Sequence, residues 1–440
     1  MSATDVDVAI IGAGSAGEAL VRGLEGSGLS IVMFEPRLVG GECPFLACMP
    51  SKSMLHDAKR SATWETAVER RDEVVSHLDD SSHREDNEEK GATIVSAEAK
   101  IVDDGVVEAD GRRWNARHVV IATGADAVVP DIDGLDTLGE RMWTSEDALT
   151  TSERPERLGI IGGGIIGGEV AQIYSGFGST VTMVDTDESP AEGMHPRVGE
   201  EILSSMERAG VRTHYGVEPT SCRLVDDEVV IEIDGADVIR CDVVLVVVGR
   251  RPSTDGLGLE SLGLDPTDLD VDDAGRVAGP TSLWIMGDAA GREQYTHVAN
   301  RHAAVVADHL RGDGDRSFGA SVVPACQFID PPLMVVGPTC AETEDDPDVV
   351  WSGTEVDVAR LSTDELPSGF LALAASRSSR CLVAAHGIGP RFDEIVHALV
   401  VAIDGQVPLE VLARTIQPFP TVGECLGVAY SDVIAALDAD

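Results

Sequence analysis

One short pattern occurs twice in this chain and fixes most of what the chain can fold into. In each copy an aliphatic strand runs into a glycine-rich turn that opens a helix, first at Gly12-Ala13-Gly14-Ser15-Ala16-Gly17 and again at Gly162-Gly163-Gly164-Ile165-Ile166-Gly167. An acidic residue, Glu35 or Asp185, closes the next strand 23 residues after the first glycine (12 to 35, 162 to 185). This spacing lets the carboxylate accept hydrogen bonds from an adenosine ribose while the helix N-terminus holds the pyrophosphate. The sequence therefore predicts an α/β protein with two Rossmann-like domains that each bind a dinucleotide.

The segments around the two turns have weaker patterns. Residues 61–87 predict a polar, amphipathic helical hairpin, and residues 92–118 have the alternation of a small antiparallel sheet. The apolar run Val243–Val248 is far shorter than the roughly 20 residues of a membrane helix, so it predicts a buried parallel strand. From about Val322 the strand patterns and helix patterns occur in separate stretches, and no further glycine-rich turn follows. This arrangement predicts a third domain, of the α+β class.

The charge balance argues against two classes of partner. The 440 residues include 77 acidic and 33 basic ones, a formal net charge of −44, so nucleic acid and an anionic membrane surface would both be repelled. Lysine occurs only at Lys52, Lys59, Lys90 and Lys100. Such an acidic, lysine-poor surface predicts a salt-loving organism, whose cytosol screens like-charge repulsion within a few ångström. No basic segment precedes the first strand, so a cytoplasmic location is expected.

Two of the eight cysteines, Cys43 and Cys48, have unusual surroundings. A regular helix separates residues five apart by about 7.5 Å along its axis, whereas a disulfide needs Cα atoms roughly 4.4–6.8 Å apart, so bonding requires a distorted first turn. Pro44 suits a helix start and would place Cys43 at the cap, where backbone N–H groups favour a thiolate. The alternative is a pair of buried thiols. The remaining cysteines are interpreted as core residues in a reducing compartment: Cys222, Cys241, Cys326, Cys340, Cys381 and Cys425.

Together these motifs resemble those of the class I pyridine nucleotide-disulfide oxidoreductases, the family of dihydrolipoyl dehydrogenase, glutathione reductase and mercuric reductase. The similar segments are the C-x-x-x-x-C-x-P-S-K run at Cys43, Cys48, Pro50, Ser51 and Lys52, then Ala122-Thr123-Gly124, the G-R-x-P segment at Gly249, Arg250 and Pro252, and Gly287-Asp288. The resemblance implies an FAD-binding domain from residues 1–152 and 276–320, an NAD-binding domain at 153–275 and a dimerisation domain at 321–440.

The resemblance also implies a role for each site residue. Cys48 would face the flavin as the charge-transfer thiol, and Cys43 would face the substrate as the interchange thiol. Lys52 and Glu169 would lie at the isoalloxazine, with an ordinary ion pair as the alternative, and Asp288 would bind the ribityl chain. The residues expected to bind FAD or NAD are Gly12, Gly14, Gly17, Glu35, Lys52, Thr123, Gly124, Gly162, Gly164, Gly167, Asp185, Gly249, Arg250, Gly287 and Asp288.

Two departures from the family pattern affect proton transfer and substrate. The family's C-terminal H-P-T-x-x-E segment corresponds to residues 419–424, which keep Glu424 as a candidate catalytic residue but have Phe419 in place of the acid/base histidine. Phenylalanine cannot transfer a proton. His297 is a candidate replacement, with a structural histidine as the alternative. The residues between the two cysteines, 45–47, also differ from the usual Asn, Val and Gly of the family.

The sequence thus predicts a homodimeric enzyme that passes electrons from NADH through FAD to Cys43 and Cys48 and on to a small disulfide, or in the reverse direction takes them from a small dithiol. Its closest functional counterpart would be dihydrolipoyl dehydrogenase or a low-molecular-weight disulfide reductase. The alternatives are an NADH diaphorase or quinone reductase, a mercuric-reductase-like enzyme, and a non-catalytic FAD- and NAD-binding component of a dehydrogenase complex. NADH is expected over NADPH because Asp185 would repel a 2′-phosphate and residues 186–188 supply no arginine. No metal site is expected.

Overall fold

Strands and helices alternate along the chain, of which the computed structural model describes residues 3–60, 62–234, 238–314 and 316–439. The strands are β1 (Thr4–Ile11), β2 (Ile31–Phe34), β3 (Ala92–Val95), β4 (Ala99–Asp103), β5 (Val106–Ala109), β6 (Arg112–Ile121), β7 (Ala125–Ala127), β8 (Met142–Trp143), β9 (Arg157–Ile161), β10 (Thr180–Val184), β11 (Arg212–His214), β12 (Pro219–Val225), β13 (Glu228–Ile233), β14 (Ile239–Cys241), β15 (Val243–Val246), β16 (Arg250–Pro252), β17 (Leu283–Ile285), β18 (Pro324–Gln327), β19 (Leu333–Val336), β20 (Val349–Val356), β21 (Gly369–Ser376) and β22 (Leu382–Ile388). The α-helices are α1 (Ser15–Leu24), α2 (Glu42–Phe45), α3 (Cys48–Ala58), α4 (Trp64–Val74), α5 (Ser81–Glu89), α6 (Ser145–Thr150), α7 (Ile165–Gly176), α8 (Pro196–Arg208), α9 (Thr296–Arg311), α10 (Ala359–Thr363), α11 (Phe392–Asp404), α12 (Leu409–Arg414) and α13 (Glu424–Asp438).

Backbone contacts divide the chain into two compact units. The first comprises Met1–Ser53, Val68–Val128 and Gly249–Ala320, and the second comprises Met54–Ala67, Val129–Val248 and Ser321–Asp440. The finer division into four segments at residues 152, 275 and 320 stays a prediction.

The first unit is built on a sheet with the order β3-β2-β1-β6-β5-β4, in which β17 also pairs with β6. The pairs around β1 are parallel, and Ile11 is in register with Phe34 and Ile121. The turns that follow β1, β2 and β6 therefore meet at one edge of the sheet. Helices α1 and α9 cover one face, where Leu20 and Val306 belong to the same buried core.

The second unit contains another parallel sheet, with the order β11-β10-β9-β15-β8. Ile161 is in register with Val184 and Val246, so the second glycine-rich turn also starts at the carboxyl edge of its sheet. The run that begins at Val243 forms the predicted buried parallel strand β15, which ends at Val246. A separate antiparallel sheet, β18-β19-β22-β21-β20, has α11 and α13 packed on it. The predicted α/β class, with two Rossmann-like folds and an α+β C-terminal domain, is confirmed.

One predicted pairing was wrong. Residues 92–118 do not form a small antiparallel sheet of their own, because all their strands belong to the first Rossmann sheet. Within it β3 pairs in parallel with β2, and only β4, β5 and β6 pair antiparallel. Helices α4 and α5 occupy the region where a helical hairpin was expected, residues 61–87, and their packing as a hairpin stays a prediction; Ser61 itself lies outside the described residues.

Candidate active site

The first glycine-rich turn, between β1 and α1, presents backbone atoms that no side chain covers at its glycines. Gly12 has φ 102°, and a Cβ on it would collide with the carbonyl oxygen of Ala122, so only glycine fits. Gly14 is the N-cap of α1 and supplies no side-chain cap, which leaves N–H groups of the first turn for a ligand. Gly41, at φ 74°, passes so close that a Cβ on it would lie 2.6 Å from the Gly14 Cα. This geometry fits a dinucleotide pyrophosphate.

Glu35 lies beside this turn at the end of β2. Its Oε2 accepts a hydrogen bond from the Ala13 N–H at 3.0 Å, and its Oε1 accepts one from the Arg37 N–H at 2.8 Å. The carboxylate is thus held at the edge of the turn, where an acidic residue of this fold binds an adenosine ribose. The structure brings Gly12, Gly14 and Glu35 together as predicted for FAD.

Arg250 links the G-R-x-P segment to the cysteine segment. Its Nη2 donates to Glu42 Oε2 at 2.6 Å and to the Ala125 carbonyl oxygen. Burial raises the pKa of Asp288, and the positive charge of Arg250 opposes that shift. Because Glu42 immediately precedes Cys43, the Arg250 ion pair fixes the start of the cysteine segment.

Thr123 and Gly124 form hydrogen bonds with the backbone of Ser253 within the first unit. The Thr123 hydroxyl donates to the Ser253 carbonyl oxygen, and the Ser253 N–H donates to the Gly124 carbonyl oxygen at 3.0 Å. Gly249, at φ 130°, accepts a hydrogen bond from the Val128 N–H at 3.0 Å. These bonds tie the ends of β7 and β16 together, and the cofactor contacts of Thr123, Gly124 and Gly249 stay predictions.

The chain between the two cysteines is not a continuous helix. Helix α2 ends at Phe45 and α3 begins at Cys48. The amides of Leu46 and Ala47 both return to the Glu42 carbonyl oxygen, at 2.7 and 2.8 Å. The distortion that a bond between the cysteines requires is therefore present in the backbone.

The predicted position of Cys43 at the helix cap was wrong. Gly41 is the N-cap of α2, and Cys43 is the second residue of the helix. Gly40 and Gly41 both have positive φ, at 108° and 74°, and this left-handed pair turns the chain into the helix before Cys43 is reached. Pro44 still lies in the first turn, where its missing N–H has no helical partner to lose.

The two cysteines interact with each other and with two polar side chains. Both are present as thiols and both are partly buried. The hydrogen-bonded Cys48 sulfur and burial raise the pKa of Cys43, whereas the Thr296 hydroxyl and the Lys52 ammonium lower it. Thr296 Oγ1 also lies 3.9 Å from Cys48 Sγ. The pair should therefore lose its first proton more readily than its second, because Thr296 and Lys52 favour one thiolate while the adjacent sulfur opposes a second.

Thr296 is the first residue of α9, the 16-residue helix that packs against α1. Tyr295 is the N-cap and supplies no side-chain cap. The positive end of the helix dipole thus lies next to the cysteines, where it favours a thiolate. His297 stacks on the Tyr295 ring with 5.2 Å between centroids, and its acid/base role stays a prediction.

The second glycine-rich turn repeats the geometry of the first. Gly162 has φ 112°, and a Cβ on it would collide with the Val247 carbonyl oxygen, while a Cβ on Gly167 would collide with the Gly162 carbonyl oxygen. The Asp185 carboxylate accepts hydrogen bonds from the N–H groups of Gly163 and Asp187. The second fold therefore also fits a dinucleotide.

Glu169 lies on α7, in the second unit, and is buried. Its Oε1 accepts a hydrogen bond from the Phe328 N–H at 3.0 Å. The neighbouring Gln327 side chain donates to the carbonyl oxygens of Gly164 and Ile165 at 3.2 and 3.1 Å. Both contacts anchor the end of β18 and the residue after it to α7, and the role of Glu169 at the isoalloxazine stays a prediction.

The C-terminal segment carries the substitution of the family's histidine. Phe419 is 75% exposed, and the preceding Ile416 is 93% exposed. Glu424 begins α13, and its Oε2 is buried without a hydrogen-bond partner in the described part of the chain. An exposed apolar side chain therefore lies at the position that corresponds to the family's acid/base histidine.

The described residues contain no group of three or more His, Cys, Asp or Glu side chains placed to hold a metal ion. Among them there is also no helix of the length and apolarity that crossing a membrane requires.

Burial raises the pKa of Cys222 to about 11 and that of Cys425 to about 12, so these thiols are poor nucleophiles. Cys326 and Cys340, predicted to be core residues, are partly exposed.

Two family models match the chain. The model for pyridine nucleotide-disulphide oxidoreductases matches residues 6–303, and the model for the dimerisation domain of the same enzymes matches residues 323–430. The chain belongs to the pyridine nucleotide-disulphide oxidoreductase family. Members of this family are FAD-dependent and use NAD(P)H, which confirms the two predicted cofactors. The match to the dimerisation domain supports a homodimer.

Several characterised members resemble this oxidoreductase over nearly its full length. A mercuric reductase of Staphylococcus aureus is 27% identical over 97% of this chain and 82% of its own. A dihydrolipoyl dehydrogenase of Haloferax volcanii is 29% identical over 98% of this chain and 97% of its own. The solved structure of the HOCl-induced flavoprotein disulfide reductase RclA from Escherichia coli is 26% identical, with a TM-score of 0.89 over 97% of this chain and 99% of that one.

Sequence reasoning missed three residues of this oxidoreductase that the structure places at its sites. Gly41 could have been found, because two adjacent glycines directly before the cysteine segment indicate a special backbone conformation. Thr296 and Gln327 carried no signal, since each reaches its partners only through the tertiary fold: Thr296 is 248 positions from Cys48.

Proposed function

We propose that this oxidoreductase is an NADH-dependent disulfide reductase in which electrons reach Cys43 and Cys48 through FAD and leave to a small disulfide or dithiol couple. The observation that carries the proposal is the cysteine pair itself, which spans a helix break and contacts the Thr296 hydroxyl. When bound, FAD would supply the hydride acceptor between NADH and the pair.

The side chains around the pair support a division of labour between the two sulfurs. The hydrogen bond to Cys48 and burial raise the pKa of Cys43, so the reduced pair is expected to hold one proton and one negative charge. Lys52 and the start of α9 supply positive charge that favours a thiolate. Cys48 is then the sulfur that holds the negative charge beside the cofactor, and Cys43 must lose its proton before it attacks an external acceptor.

The C-terminal segment supports a limit on the substrates. General acid/base assistance is commonly worth about 10²–10⁴-fold in rate, and Phe419 supplies none. Dihydrolipoamide oxidation should therefore be slow relative to a histidine-bearing relative. Acceptors that take electrons without a proton from the protein should be unaffected.

A second candidate is reduction of a soft metal ion such as mercuric ion. It is favoured by the names of the relatives, which include mercuric reductases, and by the solved Cu(II) complex of RclA. A pair of thiols is a chemically suitable site for such ions, since thiolates prefer soft metals.

The deciding experiment is an anaerobic titration of the FAD-loaded protein with NADH, followed by turnover assays with disulfides, a quinone and mercuric ion. Wild type, Cys43→Ser and Cys48→Ser are compared with each acceptor. Disulfide or metal reduction should need both cysteines, whereas quinone reduction should survive their loss. Turnover with a quinone alone, unchanged in both variants, would contradict the proposal and favour a diaphorase.

A further inference from the structure

Tyr215 places a phenol hydroxyl beside the second glycine-rich turn. A Cβ built on Gly163 would lie 2.8 Å from the Tyr215 hydroxyl oxygen and 3.1 Å from Asp185 Oδ2. The phenol and the ribose-binding carboxylate thus flank the same glycine. The hydroxyl is buried and makes no hydrogen bond with any residue that the structure describes. A buried hydroxyl without a partner is unfavourable, so this one is poised for a ligand.

The first Rossmann fold provides an internal comparison for this position. The Glu35 N–H donates to the Val95 carbonyl oxygen at 3.0 Å, and the Asp185 N–H donates to the His214 carbonyl oxygen at 2.8 Å. The residue after each of these carbonyls occupies the same place in its fold. This residue is Ser96 in the first fold and Tyr215 in the second. Of the two folds, only the second, NAD-binding one has a phenol at this position.

The charges around the phenol are acidic. Burial, followed by the carboxylates of Asp185 and Asp187, raises the pKa of Tyr215, so its hydroxyl stays protonated and acts as a donor. Burial, Asp185 and Glu192 raise the pKa of Asp187. The Glu188 carboxylate also lies nearby, 3.0 Å from a Cβ built on Gly216. A ribose diol can bridge such a donor and a carboxylate, whereas a phosphate would be repelled.

We propose that Tyr215 is a specificity-determining residue for the nicotinamide cofactor. Its hydroxyl donates a hydrogen bond to the adenosine ribose, and its ring occupies space that a 2′-phosphate would need. The inference rests on the proposed use of NADH. Asp185 would recognise the ribose by accepting hydrogen bonds from it, and Tyr215 is a second group that would recognise the ribose by donating one. Tyr215 touches the cofactor remote from the reacting atoms, so it sets affinity and not the chemical step.

The test is equilibrium binding of NAD⁺ and NADP⁺ to the FAD-loaded protein by titration calorimetry. Tyr215→Phe keeps the ring and removes the donor, and should weaken NAD⁺ binding about three- to tenfold while leaving NADP⁺ binding unchanged. Tyr215→Ser copies the first fold and also removes the ring, so it should reduce the NAD⁺/NADP⁺ preference further. In turnover, Tyr215→Phe should raise KM for NADH and leave kcat unchanged.

Tyr430→Phe is the matched control, because it removes a buried phenol hydroxyl from α13, away from the Rossmann fold. It should bind both nucleotides like wild type. The inference is overturned if Tyr215→Phe binds NAD⁺ as tightly as wild type, or if it weakens NAD⁺ and NADP⁺ equally. Either result leaves the proposed function standing, whereas a wild-type protein whose flavin NADH does not reduce would defeat the proposed function itself.

Discussion

Replacing Thr296 by valine tests how the cysteine pair holds its negative charge. The two side chains have nearly the same shape, so the substitution removes one hydroxyl from the start of α9. That hydroxyl lies 3.9 Å from Cys48 Sγ and lowers the pKa of Cys43. Because a donor stabilises the charged form of a thiol, its loss must raise the pKa at which the pair first deprotonates.

The size of the effect follows from the kind of hydrogen bond that is lost. Hydrogen bonds to charged groups contribute about 1.5–3 kcal/mol, and one pKa unit corresponds to about 1.4 kcal/mol. Thr296→Val should therefore raise the first pKa of the reduced pair by about 1 to 2 units. At a fixed pH below that pKa the thiolate fraction should fall about 10- to 100-fold.

The assay is the pH dependence of two signals from the two-electron-reduced protein. One is the long-wavelength charge-transfer absorbance, and the other is the rate of alkylation by iodoacetamide. Both should shift to higher pH in Thr296→Val. Thr281→Val is the matched control, since its hydroxyl bonds to Asp104 at the exposed edge of the same unit. An unshifted profile in Thr296→Val, or an equal shift in the control, would refute the reasoning.

Three further substitutions test the rest of the site. Cys48→Ser should abolish the charge-transfer band and Cys43→Ser should keep it, and the opposite result would show that their roles are reversed. Glu35→Ala should lower the FAD content per chain, measured by absorbance, more than the exposed control Glu25→Ala does, because Glu35 accepts a hydrogen bond from the first glycine-rich turn. Phe419→His should raise dihydrolipoamide turnover, by up to about 10²–10⁴-fold, and leave NADH–quinone activity nearly unchanged; a wild-type protein already as fast as a histidine-bearing relative would exclude this account.

Local patterns in the sequence were enough to predict the two nucleotide-binding folds and the break between the cysteines. The folds follow from glycines and an acid at fixed spacing, since that pattern is dictated by backbone approach to a phosphate. The break follows from helix geometry once Cys43 and Cys48 are taken to bond, because a regular helix would hold them too far apart. Both are properties of short segments, so no tertiary information is needed.

The remaining features depend on which segments meet in space. Thr296 reaches Cys48 only because α9 packs against α1. Strand β3 was given the wrong pairing because a short alternating strand looks the same in parallel and antiparallel pairing. Tyr215 carries no motif, and its significance depends on its proximity to Asp185.

The break between α2 and α3 also bears on how the backbone responds to turnover. Making or opening a bond between Cys43 and Cys48 changes the distance between two sulfur atoms, and Leu46 and Ala47 lie outside both helices. Rotation about the backbone bonds of these two residues can accommodate the change in the sulfur–sulfur distance. The backbone hydrogen bonds of α3 can therefore stay intact. Amide hydrogen exchange in α3 should then be equally slow in the oxidised and reduced protein, with any difference confined to the two linking residues.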